Sequence, residues 1–277
     1  MSLENTKYRV MNNLFKKCGF CGKELKPKGM DYLYDNIEDE FIEYEKCDCE
    51  KAKKYWGQVY KNDLMVKQKE KYRTLIHEIY KEAYMRNRLK NYNFENFRTT
   101  DESKKVLDLA RKFAQDCTKN RQKDGLILIG DSGSGKTHLA SAIANKLIEN
   151  GEIVLMGRLS FLLDKVKDTF KKRDNSEREL IELYSNIDML IIDDLGTEKI
   201  SEWMLEKLFV IVSERYENNL PIIIATKFNK NGLMKRFEQS KDKELMEATI
   251  SKLYQMCYAI KLEKQKEKAS TSNKTKC

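Results

Sequence analysis

The segment GLILIGDSGSGKTHLASAIANKL, from Gly125 to Leu147, constrains the fold of this 277-residue chain more than any other. A short apolar run reaches Gly130, turns through further glycines, and passes at Lys136 into a stretch of helical periodicity. Gly130, Gly135, Lys136 and Thr137 fill the pattern G-x-x-x-x-G-K-[ST], and Gly133 adds another position where the backbone bends without a Cβ clash. A strand, a glycine-rich loop and a helix N-terminus in that order aim backbone N–H groups at one place, which suits phosphate. The loop from Gly130 through Asp131, Ser132, Gly133, Ser134 and Gly135 to His138 therefore reads as a cradle for ATP. Lys136 has the reach for the outer phosphates, and the Thr137 hydroxyl suits Mg²⁺. A merely flexible glycine loop is the alternative, and the flanking strand and helix patterns argue against it.

Some fifty residues on, a second apolar run ends in acid, from Asp188 through Met-Leu-Ile-Ile to Asp193 and Asp194. A buried parallel strand that delivers carboxylates to a metal has this form. Asp193 is the expected Mg²⁺ partner, and Asp194 is placed to hold or activate an attacking water. Two acids capping a strand end would look the same. A small-molecule kinase would share the ATP loop, but no arginine-rich lid or acceptor pocket is legible.

Around these motifs the chain alternates strands and helices. Strands are expected near 126–129, 153–156, 188–193, 222–226 and 258–262, and helices near 136–149, 159–172, 201–218, 230–238 and 244–256, with Ser201 capping the third helix. That alternation predicts an α/β fold, a central parallel sheet flanked by helices, with ligands at the C-terminal edge of the strands. The expected organisation is a cysteine module over 1–50, a basic helical connector over 51–90, the ATP-binding domain over 91–262, and a disordered basic tail over 263–277.

The cysteine module carries Cys18-x-x-Cys21 and Cys47-x-Cys49. Four thiolates suit a closed tetrahedral Zn²⁺ site, and a module this small needs a metal to supply folding free energy that apolar contacts cannot. Incidental thiols are the alternative, because C-x-C is a less specific knuckle than C-x-x-C. His77 is expected on a helix surface, and Cys117, Cys257 and Cys277 read as core or tail thiols. The N-terminus MSLENTKYRV lacks an apolar signal segment and no apolar run approaches the ~20 residues of a membrane span, so a cytoplasmic protein without a membrane partner is expected.

Charge is unevenly placed. Residues 51–90 hold twelve Lys/Arg against four Asp/Glu, and residues 261–277 six against two, so these two segments exceed the whole-chain +9. Clustered positive charge suits phosphate backbones and acidic protein faces alike, and a solvated helix face equally. Tyr55, Trp56, Val59, Tyr60, Leu64, Ile76, Ile79 and Tyr80 give the connector apolar residues at amphipathic spacing. Between the second and third expected strands, Arg158, Lys165, Lys167, Lys171, Lys172 and Arg173 interleave with Phe161 and Phe170. That pattern fits single-stranded DNA tracking with base stacking, or core phenylalanines under solvated lysines. Trp203 reads as a packing residue.

The phrases GDSGSGKTHLASAIANKL, LIIDDLGTEKISEWMLEKLFVIVSERYENNLPIIIAT and ISKLYQMC resemble the AAA+ ATPases of the DnaC/DnaI helicase-loader and IstB transposition-helper group, strongly over 91–262 and more loosely over 1–90. The cysteine-rich front end resembles the zinc-containing loader branch. The resemblance implies a P-loop AAA+ domain, a partner in the replicative DNA helicase, assembly of like subunits through the ATPase domain, and action on single-stranded DNA. It also implies that Tyr92 to Phe97 lies near the adenine, although those aromatics could equally be core. Where the family presents a γ-phosphate-sensing asparagine, Lys227 stands here beside Thr226. Where it presents an S-R-L arginine finger, the sequence reads Ser251-Lys252-Leu253, and a second family arginine aligns with Ala248. Lysine lacks the planar fork of arginine, so hydrolysis is expected to be slow, with Lys252 or Arg236 as the finger. An IstB-like transposition helper acting with a transposase on duplex DNA is the alternative function, and an ATP-binding regulator that does not hydrolyse is a third.

Overall fold

Two short strands, β1 (Lys16–Lys17) and β2 (Glu24–Leu25), pair antiparallel in the register Lys16↔Leu25 and Lys17↔Glu24. The turn between them carries Cys18 and Cys21, and it closes through Cys18 N–H donating to the Lys23 carbonyl and Gly22 N–H donating to the Cys18 carbonyl. A 32-residue helix follows, α1 (Glu50–Lys81). In this computed structural model the described residues are 16–26, 44–81, 91–98, 101–119, 124–169, 176–238 and 242–264. The chain divides into two units, Met1–Glu70 and Lys71–Cys277, so the division falls inside α1.

In the first unit Cys18, Cys47 and Ala52 are buried together, with Leu25, Cys49 and Trp56 packed against them. Beyond that small cluster the middle of α1 departs from the amphipathic expectation, whereas Ile76, Ile79 and Tyr80 near its C-terminus do pack in or against the core of the second unit. Tyr60, Leu64, Met65 and Val66 are all exposed, because charged residues surround the helix and leave no continuous apolar stripe.

The second unit adds α2 (Asp101–Lys119), β3 (Gly125–Ile129), α3 (Lys136–Glu149), β4 (Val154–Arg158), α4 (Leu159–Asp168), α5 (Ser176–Asn186), β5 (Met189–Asp193), α6 (Glu202–Glu217), β6 (Ile222–Thr226), α7 (Lys230–Phe237), α8 (Lys243–Met256) and β7 (Cys257–Lys261). The five strands β3 to β7 form one parallel sheet in the order β4-β5-β6-β3-β7. Successive strand residues point to opposite faces. Ile127, Leu155, Leu190, Ile192, Ile222 and Ile224 join a core shared with α4 to α8, whereas Leu126, Leu128, Met156, Ile191, Ile223 and Ala225 join a core shared with α2 and α3. Strands β3 to β6 bury both faces, apart from the terminal Arg158, which is why they read as apolar runs, whereas β7 at the sheet edge exposes Tyr258, Ala259 and Lys261.

The α/β architecture expected from the sequence is thus present, with four local corrections. The helix expected over 159–172 ends at Asp168, and Phe170, Lys171, Lys172 and Arg173 lie outside the described residues. Two helices, α2 and α5, are additional to the expected set. Strand β4, expected over 153–156, runs to Arg158, which pairs opposite Asp193 and also caps the N-terminus of α4. Ser201 caps α6 as expected, its hydroxyl accepting the Met204 N–H at 3.2 Å.

Two polar groups fix elements at the sheet margins. The Tyr80 hydroxyl donates to the Met156 carbonyl and accepts the Met156 N–H, both at 2.7 Å, so it occupies the free edge of β4. Arg215 is fully buried and donates to the carbonyls of Tyr184 at 2.9 Å, Ile187 at 3.1 Å and Pro221 at 2.5 Å. Burial pushes its guanidinium down to about 9, and the Asp188 charge opposes that shift. Trp203 is partly buried against the core, with the Lys167 and Lys207 ammonium groups 5.0 and 5.9 Å from its ring centroid. No helix among the described residues is long and apolar enough to cross a membrane.

Candidate functional site

At the C-terminal edge of the sheet, β3 stops at Ile129 and the chain turns through Gly130 to Gly135 into α3. Gly130 sits where three segments converge: a Cβ there would lie 2.4 Å from the Leu262 carbonyl oxygen and 2.6 Å from the Ser134 hydroxyl. Gly135 has φ of +93°, the left-handed region, and a Cβ there would press to 3.0 Å on the Phe97 ring. Within this loop Ser134 N–H donates to the Asp131 carbonyl at 3.1 Å, and the Lys136 ammonium donates to the same carbonyl at 2.8 Å.

The side chains expected at the site are brought together. Thr137 donates its hydroxyl to both Asp193 carboxylate oxygens, at 3.1 and 3.0 Å, so the end of β5 meets the first turn of α3. The Asp194 N–H donates to Asp193 Oδ1 at 3.0 Å. Lys136 is 5% exposed and Asp193 is 7% exposed. Burial, followed by the neighbouring Asp194 charge, pushes the Asp193 carboxyl above the usual carboxylate range. Burial likewise pushes the Lys136 ammonium below the usual lysine range, opposed by Asp194, Asp193 and Asp131. Buried ammonium and carboxylate groups of this kind mark a site built to receive further charge.

The loop fits a polyphosphate on an observation independent of its sequence pattern. The Ser134 hydroxyl is buried and has no hydrogen-bond partner, an arrangement that is costly unless a ligand atom completes it. Asp193 and Thr137 are the oxygen donors that would hold Mg²⁺, a hard cation bound through one or two carboxylates together with phosphate oxygens.

Around the loop the structure adds contacts that the sequence reading did not foresee. The Arg158 guanidinium lies 3.3 Å from Asp194 Oδ2, so the acid expected to act on water is ion-paired across adjacent strands. Tyr92 stacks on His138 with centroids 4.5 Å apart, and a His138 ring nitrogen lies 3.0 Å from the Asn93 carbonyl oxygen. Phe94 and Phe97 are buried core residues, which supports the core reading of the two that the sequence left open. Their periodicity alone could not decide between them, because a base-stacking ring and a packing ring leave the same pattern.

The positions that depart from the family pattern are distributed differently. Thr226 is fully buried, donates its hydroxyl to the Leu195 carbonyl at 2.7 Å and accepts the Phe228 N–H at 3.1 Å. Lys227 is exposed, with its ammonium 5.1 Å from the Phe228 ring centroid. Lys252 lies on α8, where it donates to the Ser213 hydroxyl at 3.0 Å between the rings of Phe209 and Tyr216, and not to the phosphate loop. Arg236 on α7 donates to the Gly196 carbonyl at 2.8 Å.

In the first unit the Sγ atoms of Cys18, Cys21, Cys47 and Cys49 all lie within 4.8 Å of one another, and those of Cys21 and Cys47 are 3.5 Å apart. The backbone N–H groups of Phe20 and Cys21 hold the Cys18 thiol down to about 7. Four converging sulfurs could hold a metal ion. Of the other cysteines, Cys257 is buried and Cys117 half-buried, while Cys277 lies outside the described residues.

These features have counterparts in known proteins. The chain is 33% identical over 148 residues to the replicative helicase loader DnaC of Escherichia coli (strain K12), a match that covers 52% of this chain and 59% of that protein. It thus spans less than two thirds of the length of that relative. A crystal structure of the DnaI superposes with a TM-score of 0.56 at 22% identity, covering 65% of this chain and 95% of that one. A crystal structure of the DnaC helicase loader gives 0.55 at 24% identity, covering 63% of this chain and 98% of the other. At such identities the likeness establishes the fold. The phosphate loop, the Thr137–Asp193 junction and the parallel sheet behind them lie within residues 49–275, which match the model of the IstB-like ATP binding proteins, and the chain belongs to that family.

Proposed function

We propose that this protein is an ATP-dependent adaptor that binds a replicative DNA helicase and helps place it on single-stranded DNA. The observation that carries the reading is the Thr137–Asp193 junction beside a buried Lys136, the geometry needed to hold Mg²⁺ and a triphosphate at one sheet edge. The likeness to DnaC supports the helicase as partner.

Each residue has a role in this account. The phosphate-loop amides and the Ser134 hydroxyl bind the β- and γ-phosphates, Lys136 neutralises their charge, and Thr137 and Asp193 hold Mg²⁺. The metal supplies charge stabilisation to the phosphate oxygens when bound. Asp194 orients the attacking water and accepts its proton. Lys252 lies outside its own phosphate site, as a group meant for the site of a neighbouring subunit would, and it supplies a positive charge without a bidentate fork. Because an arginine finger is worth about 10³–10⁵ in rate, hydrolysis is slow and ATP binding sets the conformational state. The four cysteines hold one structural Zn²⁺, and single-stranded DNA runs past Arg158 at the end of β4 and Lys165, Lys167 and Phe161 of α4.

The test uses the full chain. Mixed with the replicative helicase of its host, in the presence of ATP and Mg²⁺, it should co-elute from a sizing column and promote helicase capture on circular single-stranded DNA. Lys136→Ala should abolish the nucleotide dependence. Recovery of a transposase on duplex DNA, with no helicase bound, would replace this reading by the transposition-helper one.

A further inference from the structure

The acid turn after β5 is held in an unfavourable backbone conformation. Asp194 has φ of +54°, the left-handed region that non-glycine residues enter only where surrounding structure over-determines them. Four contacts do so here. Thr197 donates from both N–H and hydroxyl to the Asp194 carbonyl, at 3.1 and 2.8 Å. Leu195 N–H donates to the Ala225 carbonyl at 2.9 Å, and the Thr226 hydroxyl donates to the Leu195 carbonyl at 2.7 Å, which ties the turn to β6.

Arg236 adds the contacts that come from farthest along the chain. Its Nε donates to the Gly196 carbonyl at 2.8 Å, and one terminal nitrogen lies 3.4 Å from the Thr197 carbonyl oxygen. The guanidinium also lies 5.7 Å from the Phe228 ring centroid. Gly196 makes that approach possible, since a Cβ there would lie 2.9 Å from Leu233 and 3.0 Å from Phe228. A planar fork addresses two successive carbonyls in a fixed geometry, which the rotating donors of an ammonium on a flexible stem do not hold.

We infer that Arg236 is a positioning residue acting within its own subunit: it fixes the 194–197 turn, and thereby the direction in which the Asp194 carboxylate leaves the sheet edge. Its guanidinium is committed to that turn, so it is not the group presented to a neighbouring subunit. The inference rests on the reading of Asp194 as the carboxylate that orients water.

The experiment compares the full chain with Arg236→Ala and Arg236→Lys. In nucleotide-free protein, amide hydrogen exchange in the peptide spanning 193–199 should accelerate about tenfold or more in Arg236→Ala. Arg236→Lys, which keeps the charge and N–H donors but loses the planar fork, should fall between the parent chain and Arg236→Ala. In steady-state ATP hydrolysis kcat should drop about tenfold with KM changed less than twofold. When Arg236→Ala is mixed with Asp194→Asn, activity should stay at the level of the separate variants, because no subunit then carries both groups. Recovery of activity on mixing would assign Arg236 to the neighbouring site and overturn the inference. So would unchanged exchange at 193–199 in both variants. If the unsubstituted chain hydrolyses no ATP, the proposed reaction fails, and the exchange result still decides what Arg236 does.

Discussion

Asp193 has the most informative environment of any single residue in the site. Its carboxylate is buried beside Asp194, and the Thr137 hydroxyl, the Asp194 N–H and the Arg158 charge compensate it in part. Without metal or nucleotide, the folded state therefore binds a proton at Asp193 more readily than the unfolded chain does. Where the folded protein carries the extra proton, stability falls as pH rises from the unfolded carboxylate value through the folded one, and it stays lower above that window. Asp193→Asn should accordingly raise the melting temperature of the ligand-free protein at pH 7.5, and the gain should shrink as the pH is lowered towards 4. The same substitution should abolish the stabilisation that Mg²⁺ and ATP give the parent chain. A lower melting temperature for Asp193→Asn at pH 7.5 would contradict this account. Ser134 makes the complementary point about loss of a donor. Its buried, unpartnered hydroxyl contributes to ligand binding and little to the free protein, so Ser134→Ala should weaken ATP affinity with a stability change within about 1 kcal/mol.

Among the elements, the junction of α1 with the edge strand β4 is the one that a single atom decides. Tyr80→Phe removes both hydrogen bonds to Met156 while keeping the ring, and leaving those backbone groups unpaired should cost about 1–3 kcal/mol. A thermal melt that shows no loss would mean that water replaces the hydroxyl at this edge. Much of the element order was legible, because the four buried parallel strands β3 to β6 write themselves as apolar runs and the phosphate loop marks the start of α3. Helices α2 and α5 were legible in principle, through Leu107, Ala110 and Ala114 in one and Leu180, Leu183 and Tyr184 in the other. They were missed because they sit in strongly charged stretches, where the apolar stripe is narrow. The sites divide in the same way. Lys136, Thr137 and Asp193 follow from local pattern, and the structure brings them together. The Arg158–Asp194 ion pair, the Arg236 contacts and the Tyr80 plug join residues 36 to 76 positions apart, and no local period records such a pairing.

For the whole molecule, the two units rest on different physics. Residues 71–277 carry two large apolar cores, one on each face of the sheet, whereas the first unit buries a few side chains around four sulfurs. With so little apolar surface buried among its described residues, the first unit would draw its stability from the proposed Zn²⁺. Purified protein should therefore contain one zinc per chain by elemental analysis. Stripping it with a chelator should unfold the first unit and leave the melting of the second in place. Binding to single-stranded DNA, if it uses Arg158, Lys165 and Lys167, should weaken steeply with salt, with a log–log slope of about −0.7 per phosphate contacted. All of these outcomes stand behind one claim, that Lys136, Thr137 and Asp193 form a single site for Mg²⁺ and a nucleoside triphosphate. Calorimetric titration of the full chain with ATP and Mg²⁺ tests it most directly. The account predicts one ATP bound per chain, with binding lost in Lys136→Ala at unchanged fold, and it is contradicted if the folded parent chain takes up no ATP or if Lys136→Ala binds it equally well.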